Sequence, residues 1–135
     1  MLIFLKSHKR FTERILLGTL DTYKAIEFSR HPAGTILGML LADQGATVIK
    51  VEPLHGDPLK GTPEFAVWNR GKNSEISDLT QQSVLELVKE ADIVIDCLNP
   101  GEAENLNLTF SGLSGTNPGL VVISLPAFAK GHKYE

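Results

Sequence analysis

A chain of 135 residues has the length of one ordinary domain, and 42% apolar residues are enough to build a core, which excludes a disordered chain. With 13 basic against 16 acidic residues the formal net charge is -3, and the cations are spread along the chain, so a nucleic-acid backbone is excluded as a partner. One cysteine, Cys97, cannot form an internal disulfide, and His8, His31, His55 and His132 lack metal-ligand spacing, so a reducing compartment and no metal are expected.

The chain begins with the apolar run Met1 to Leu5, which stops at Lys6 and is followed by His8, Lys9 and Arg10. A secretory signal has the opposite order, charge first and a longer apolar run after it, and nothing later reaches the length of a membrane span. A soluble, cytoplasmic protein is therefore expected, with residues 1–19 as an N-terminal extension and a short amphipathic helix over 11–20. Lys24 to Ser29 alternates polar and apolar residues and runs into Arg30-His31-Pro32-Ala33-Gly34, a strand followed by a turn. Pro32 suits the first turn of a helix, and Ile36, Leu37, Leu40 and Leu41 recur at helical spacing up to Gly45, which predicts a helix over 34–45. The β-branched run 46–52 is a second strand ending at Pro53, and the three elements form a right-handed β-α-β unit.

From Leu54 to Lys72 glycine, proline and charge predominate, which predicts a long functional loop with a short helical piece at 64–69. A short strand over 74–79 precedes a helix over 81–90, capped by Asp78 or Thr80 and carrying Val84, Leu87, Val88 and Ala91 on one face. Ile93-Val94-Ile95 lies in a strand over 92–97 that reads as an interior parallel strand covered on both faces. Short helices are expected near Glu102 and over 110–116, and 120–125 is the last strand. The sum is an α/β fold: a Rossmann-like, three-layer domain with a mostly parallel sheet.

In such a sheet ligands sit beyond the carboxyl ends of the strands. The loop from Arg30 to Gly34 is placed for a phosphate, with Gly34 admitting close backbone approach and Arg30 adding a planar cation. A tight βα turn in which Gly34 and Gly38 allow close helix packing explains the same residues, and the G-x-G-x-x-G pattern is absent. Glu52 stands where dinucleotide folds keep an acid for a ribose hydroxyl, although an acid at a strand end is more often simply solvated. Arg70-Gly71-Lys72 offers two cations around a glycine, against the plainer reading of exposed loop charge. Cys97, at the end of a buried strand with no base indicated beside it, is expected to pack rather than react. Asp57, Asp78, Asp92 and Asp96 read as a loop residue, a cap and two strand-edge residues, and Trp68 as an anchor of its loop.

Taken in order, Leu20 to Arg30, Ala33-Gly34, Leu40 to Pro53, Gly56-Asp57-Pro58, Asn69 to Lys72, Asp78-Leu79, Ala91 to Ile95, Pro100-Gly101 and Asn117-Pro118 resemble the N-terminal region of family III CoA-transferases. That group includes formyl-CoA transferase, carnitine-related CoA-transferases and α-methylacyl-CoA racemase. The resemblance runs from about residue 20 and defines 20–135 as the N-terminal, Rossmann-like part of such a domain. It implies coenzyme A along the strand ends, with Arg30, His31 and Pro32 in the first contacting loop, Gly71 and Lys72 near the nucleotide, and Cys97 and Leu98 beside the cofactor. The chain departs from the family at Thr35, Asn73, Cys97-Leu98, near Asn105 and at Pro126-Ala127-Phe128-Ala129, where several phosphate-holding cations are missing. The family's catalytic aspartate, and the His and Asp of its racemases, lie downstream of the matched region, and His132 falls too early to be that base. A chain with no catalytic residue of its own, binding CoA weakly, and either a homodimer or completed by a partner chain, is thus expected. The alternatives are a non-catalytic dimerising scaffold or small-molecule module, and an NAD-type oxidoreductase domain.

Overall fold

A computed structural model of the chain describes residues 18–128 and Lys133. Five strands form one sheet: β1 (Lys24–Ser29), β2 (Thr47–Glu52), β3 (Asn73–Ile76), β4 (Ile93–Cys97) and β5 (Val121–Ser124). Their spatial order is β3-β2-β1-β4-β5 and every pairing is parallel. The connecting helices are α1 (Pro32–Asp43), α2 (Pro63–Trp68), α3 (Gln81–Val88), α4 (Glu102–Asn105) and α5 (Phe110–Leu113). The sheet is thus wholly parallel where a mostly parallel one was expected, and its chain order reverses between β1 and β4.

The alternation along the strands divides the core in two. Ile26, Phe28, Val51 and Val94 face α3, whose Val84 and Val88 are fully buried, and Leu108, Leu113 and Leu120 close that side. Ala25 and Val48 face α1 on the other side, with Leu41, Ala42 and Ile93 packed against them. Small residues on α1 set its distance from the sheet. A side chain at Gly34 would run into Cys97 Cβ at 2.6 Å and Ser29 Oγ at 2.7 Å, which bears out the packing role read for Gly34 and Gly38.

Helix starts follow side-chain chemistry. Thr80, not Asp78, caps α3: its Oγ1 accepts from Ser83 N–H while Ser83 Oγ accepts from Thr80 N–H, a reciprocal capping box. Pro32 opens α1 and Pro63 opens α2, each at a position where no N–H is needed. The edge strand β3 is exposed along its length and shorter than the expected 74–79 run. The helix expected over 11–20 lies outside the described residues as far as residue 17. Its end is corrected: residues 19–22 form a turn, tied back by Leu20 N–H to the Gln44 carbonyl at 2.9 Å.

Candidate functional site

The reversal of strand order between β1 and β4 splays the two connections that leave their carboxyl ends, one towards α1 and the other towards α4. Arg30 follows β1 and Leu98 follows β4, so both candidate loops flank this crevice, and Arg30 N–H donates to the Cys97 carbonyl at 3.0 Å. Arg30 Nε donates to Glu102 Oε2 at 3.0 Å, and His31 Nε2 lies 3.2 Å from Asn99 Oδ1. Pro32 is the first residue of α1. Arg30, His31, Pro32, Cys97 and Leu98, scattered over two distant stretches of chain, are therefore neighbours.

Beside them a cleft of about 310 Å³ opens at the carboxyl ends of β4 and β5. Its walls are Leu98, Leu108, Phe110, Val122 and Phe128, with the polar Asp96, Asn99, Glu104 and Ser124 among them. Asp96, read as a strand-edge residue, is 7% exposed. One of its oxygens accepts from Leu98 N–H at 3.2 Å and the other from Ser124 Oγ at 2.9 Å, so the carboxylate fixes the turn out of β4. Asp92 is likewise structural, accepting from Lys24 N–H at 2.8 Å.

Gly71 and Lys72 lie on the other flank, beyond β2. Gly71 has a φ of 74°, the left-handed conformation that favours glycine, and it turns the chain so that Lys72 points inward. Lys72 Nζ donates to Glu27 Oε2 at 2.7 Å, to the Thr35 carbonyl at 2.7 Å and to Asn69 Oδ1 at 3.2 Å. Its side chain is 1% exposed, which corrects the reading of Arg70-Gly71-Lys72 as exposed loop charge: only Arg70 fits it, paired with Asp43 on the surface. Burial holds the Lys72 ammonium below the usual lysine range, and the Glu27 carboxylate opposes that shift.

Glu27 is the centre of a buried ionic cluster that sequence reasoning missed. Its side chain is 0% exposed and receives Lys72 through one oxygen and Lys50 Nζ through the other at 3.3 Å. Lys50 also pairs with Asp57 Oδ2 at 2.9 Å, which fastens the Gly56-Asp57-Pro58 turn to the sheet. The signal was present. Glu27 and Lys50 sit opposite one another in the β1/β2 register, opposite charges in strands that are otherwise largely apolar.

Glu52 is 1% exposed, contrary to a solvated strand-end acid. Ser74 Oγ donates to it at 2.6 Å and Lys60 Nζ at 3.1 Å. Burial pushes this carboxyl up, but the Ser74 hydroxyl and the Lys60 ammonium outweigh it and hold the group below the usual carboxylate range. A second hollow of about 220 Å³ lies here, lined by Lys50, Glu52, Lys60, Phe65, Lys72 and Ser74 among others. Cys97 is buried, and burial raises its thiol above the ordinary range, as expected of a packed residue. Trp68 is half-buried at the end of α2. Among the described residues no group of His, Cys, Asp and Glu is arranged to hold a metal ion, and no helix is long and apolar enough to cross a membrane.

The sequence profile of CoA-transferase family III matches residues 20–135. The chain is similar to the "Probable fatty acyl-CoA transferase Rv3272" of Mycobacterium tuberculosis, 36% identical over 124 residues that cover 81% of this chain and 32% of that protein. It is also similar to the succinyl-CoA–D-citramalate CoA-transferase of Chloroflexus aurantiacus, 37% identical over 130 residues, with 86% of this chain and 32% of that protein covered. Among solved structures, an orthorhombic crystal form of Rv3272 superposes with a TM-score of 0.80 at 35% identity, covering 87% of this chain and 34% of that one. A CAIB/BAIF family protein from Brucella suis superposes with a TM-score of 0.79 at 33% identity, covering 87% and 36%. The chain thus spans about a third of the length of these relatives. Matched from residue 20 to residue 135 and folded as these solved relatives are, it belongs to CoA-transferase family III.

Proposed function

We propose that residues 20–135 form the CoA-binding part of an acyl-CoA-dependent CoA-transferase, with the cofactor lying across the carboxyl ends of the parallel strands. The observation that carries this reading is the crevice at the β1/β4 reversal, flanked by the Arg30 and Leu98 loops and continued by an apolar cleft of about 310 Å³. Parallel sheets bind ligands at such reversals. In this reading Arg30, His31 and Pro32 meet the charged part of CoA, Cys97 and Leu98 run beside its uncharged arm, and Gly71 and Lys72 border the nucleotide end. Lys72 acts there through its charge and its hold on the 69–73 segment, since its ammonium already has three acceptors. The names of the relatives support a CoA thioester as donor.

Asp96, a carboxylate of the cleft wall, is held by Leu98 N–H and Ser124 Oγ and so is committed to the turn rather than placed as the carboxylate nucleophile that the family resemblance implies. Residues 20–135 by themselves are therefore expected to bind CoA without exchanging acyl groups, and to depend for catalysis, in the cytoplasm, on whatever supplies the family's aspartate. Titration calorimetry with CoA and with pantetheine, on the chain and on Arg30→Ala, tests the binding, and acyl exchange from several acyl-CoA donors tests the inactivity. Weak CoA binding that Arg30→Ala lowers is the expected result. Absence of binding by any CoA species removes the reading.

A non-catalytic, dimerising scaffold is the second reading, and one observation favours it. Arg30, Lys60 and Lys72 are each already paired with a carboxylate of the same chain, while Phe110, Val121 and Phe128 leave apolar surface near β5 exposed. A dimer by light scattering together with no CoA binding selects it. An NAD-type oxidoreductase is not carried forward, given the family match and the commitment of Glu52 to Ser74 and Lys60.

A further inference from the structure

Three donors converge on a single carboxylate oxygen beside the cleft. Glu102 Oε2 accepts from Arg30 Nε at 3.0 Å, from Asn99 N–H at 2.9 Å and from Asn99 Nδ2 at 3.0 Å. His31 Nε2, 3.2 Å from Asn99 Oδ1, holds the Asn99 amide with its NH₂ turned to Glu102. A guanidinium, a backbone N–H and a side-chain amide arrayed about one anionic oxygen are the donor set that a phosphate oxygen takes. Here the chain itself supplies the anion.

The other ion pairs at this end of the sheet do not share the property that matters next. Lys50 and Lys72 are 2% and 1% exposed and share Glu27 at 0%, and Lys60 pairs with a Glu52 that is 1% exposed. Breaking any of these strands a charge in the interior. Arg30 and Glu102 are 26% and 32% exposed, so the carboxylate can turn to water and leave the guanidinium to another anion at little cost.

We infer that Glu102 is an intramolecular competitor for Arg30, an anionic gate that a phosphate of the incoming ligand must displace, and that it sets how weakly the chain holds such ligands. The inference rests on the CoA reading for the identity of the ligand, but not for the competition itself. Glu102→Gln keeps the shape and an acceptor for Asn99 N–H while removing the charge.

The test measures binding of CoA, pantetheine and inorganic pyrophosphate to the full chain, to Glu102→Gln, to Arg30→Ala and to the double variant, at two salt concentrations. The expected result is that Glu102→Gln tightens CoA and pyrophosphate by about two- to fivefold, the range set by loss of one partly exposed ion pair, and leaves pantetheine unchanged. The gain should shrink at the higher salt and vanish when Arg30 is alanine. CoA binding that falls in Arg30→Ala but is unchanged or weaker in Glu102→Gln overturns the gate and leaves the CoA reading standing. CoA bound by neither protein, with pyrophosphate tighter in Glu102→Gln, removes the CoA reading and keeps the gate. Pyrophosphate bound by neither, or equally by both, with no CoA binding, overturns both.

Discussion

Replacing Glu27 by alanine removes the carboxylate on which two buried lysines converge. Lys72 then keeps only neutral acceptors, the Thr35 carbonyl at 2.7 Å and Asn69 Oδ1 at 3.2 Å, whereas Lys50 keeps Asp57 at 2.9 Å. Because Glu27 and Lys72 are 0% and 1% exposed, solvent screening does not soften the loss. Removing one partner of a buried pair costs about 3–5 kcal/mol, a large part of the roughly 5–15 kcal/mol that holds an ordinary domain folded. The cost has a ceiling that depends on pH. Burial already lowers the Lys72 pKa and Glu27 resists this, so in Glu27→Ala the ammonium gives up its proton at lower pH still.

The unfolded chain keeps that proton up to about pH 10.4, so between the lowered folded value and that one the unfolded state binds more protons and stability rises with pH. The penalty of Glu27→Ala relative to the parent should therefore be largest near neutrality and smaller at about pH 9. Urea denaturation followed by the fluorescence of Trp68, the single tryptophan, measures it at both pH values. Glu27→Ala combined with Lys72→Met should recover most of the loss, since no buried charge is then left without a partner on that side. A penalty under about 1 kcal/mol, or one that grows with pH, would refute this account of the cluster.

Gly38→Ala should destabilise by about 1–3 kcal/mol although alanine is the better helix former, because the new Cβ would sit 2.0 Å from Glu27 Oε2. In a Glu27→Ala background the same change should be neutral or stabilising, which a double-mutant cycle in urea reads directly. Ser74→Ala should cost about 1.5–3 kcal/mol near neutrality by removing a charge-assisted bond to buried Glu52. As Glu52 lies below its usual pKa when folded, its contribution is present above the unfolded value and fades as pH falls through the folded one; in Ser74→Ala acid unfolding should lose part of this dependence. Cys97, buried with its thiol pushed up, should resist a thiol reagent at neutral pH in the folded chain and react fully in urea; rapid modification of the folded chain would contradict its packed role.

Periodicity alone located most elements. Ile36, Leu37, Leu40 and Leu41 mark α1, and the β-branched run through Val48, Ile49 and Val51 marks β2, because a helix and a strand repeat their buried face at different intervals along the chain. Pro32 was legible as a first-turn residue, since proline lacks the N–H that a helix interior requires, although the helix expected over 34–45 runs Pro32–Asp43. The identities of the loop residues at the crevice were readable through family resemblance, yet their partners were not.

The reason is that a residue's charge state, exposure and orientation depend on elements far away in the chain. Lys72 looks like surface charge until the turn at Gly71 brings it to Glu27, 45 residues earlier. Glu52 looks solvated until Lys60 and Ser74 close over it. Arg30 reads as a phosphate cation, and only the approach of Glu102, 72 positions later, reveals that an anion of the chain's own already occupies it. The sequence determined which strands and helices form and which loops leave the carboxyl ends of the sheet, because those follow from local periodicity and backbone chemistry. The tertiary structure alone decided which of the charges are spent in the interior and which stay exchangeable at the surface, because pairing and desolvation act through space and not along the chain.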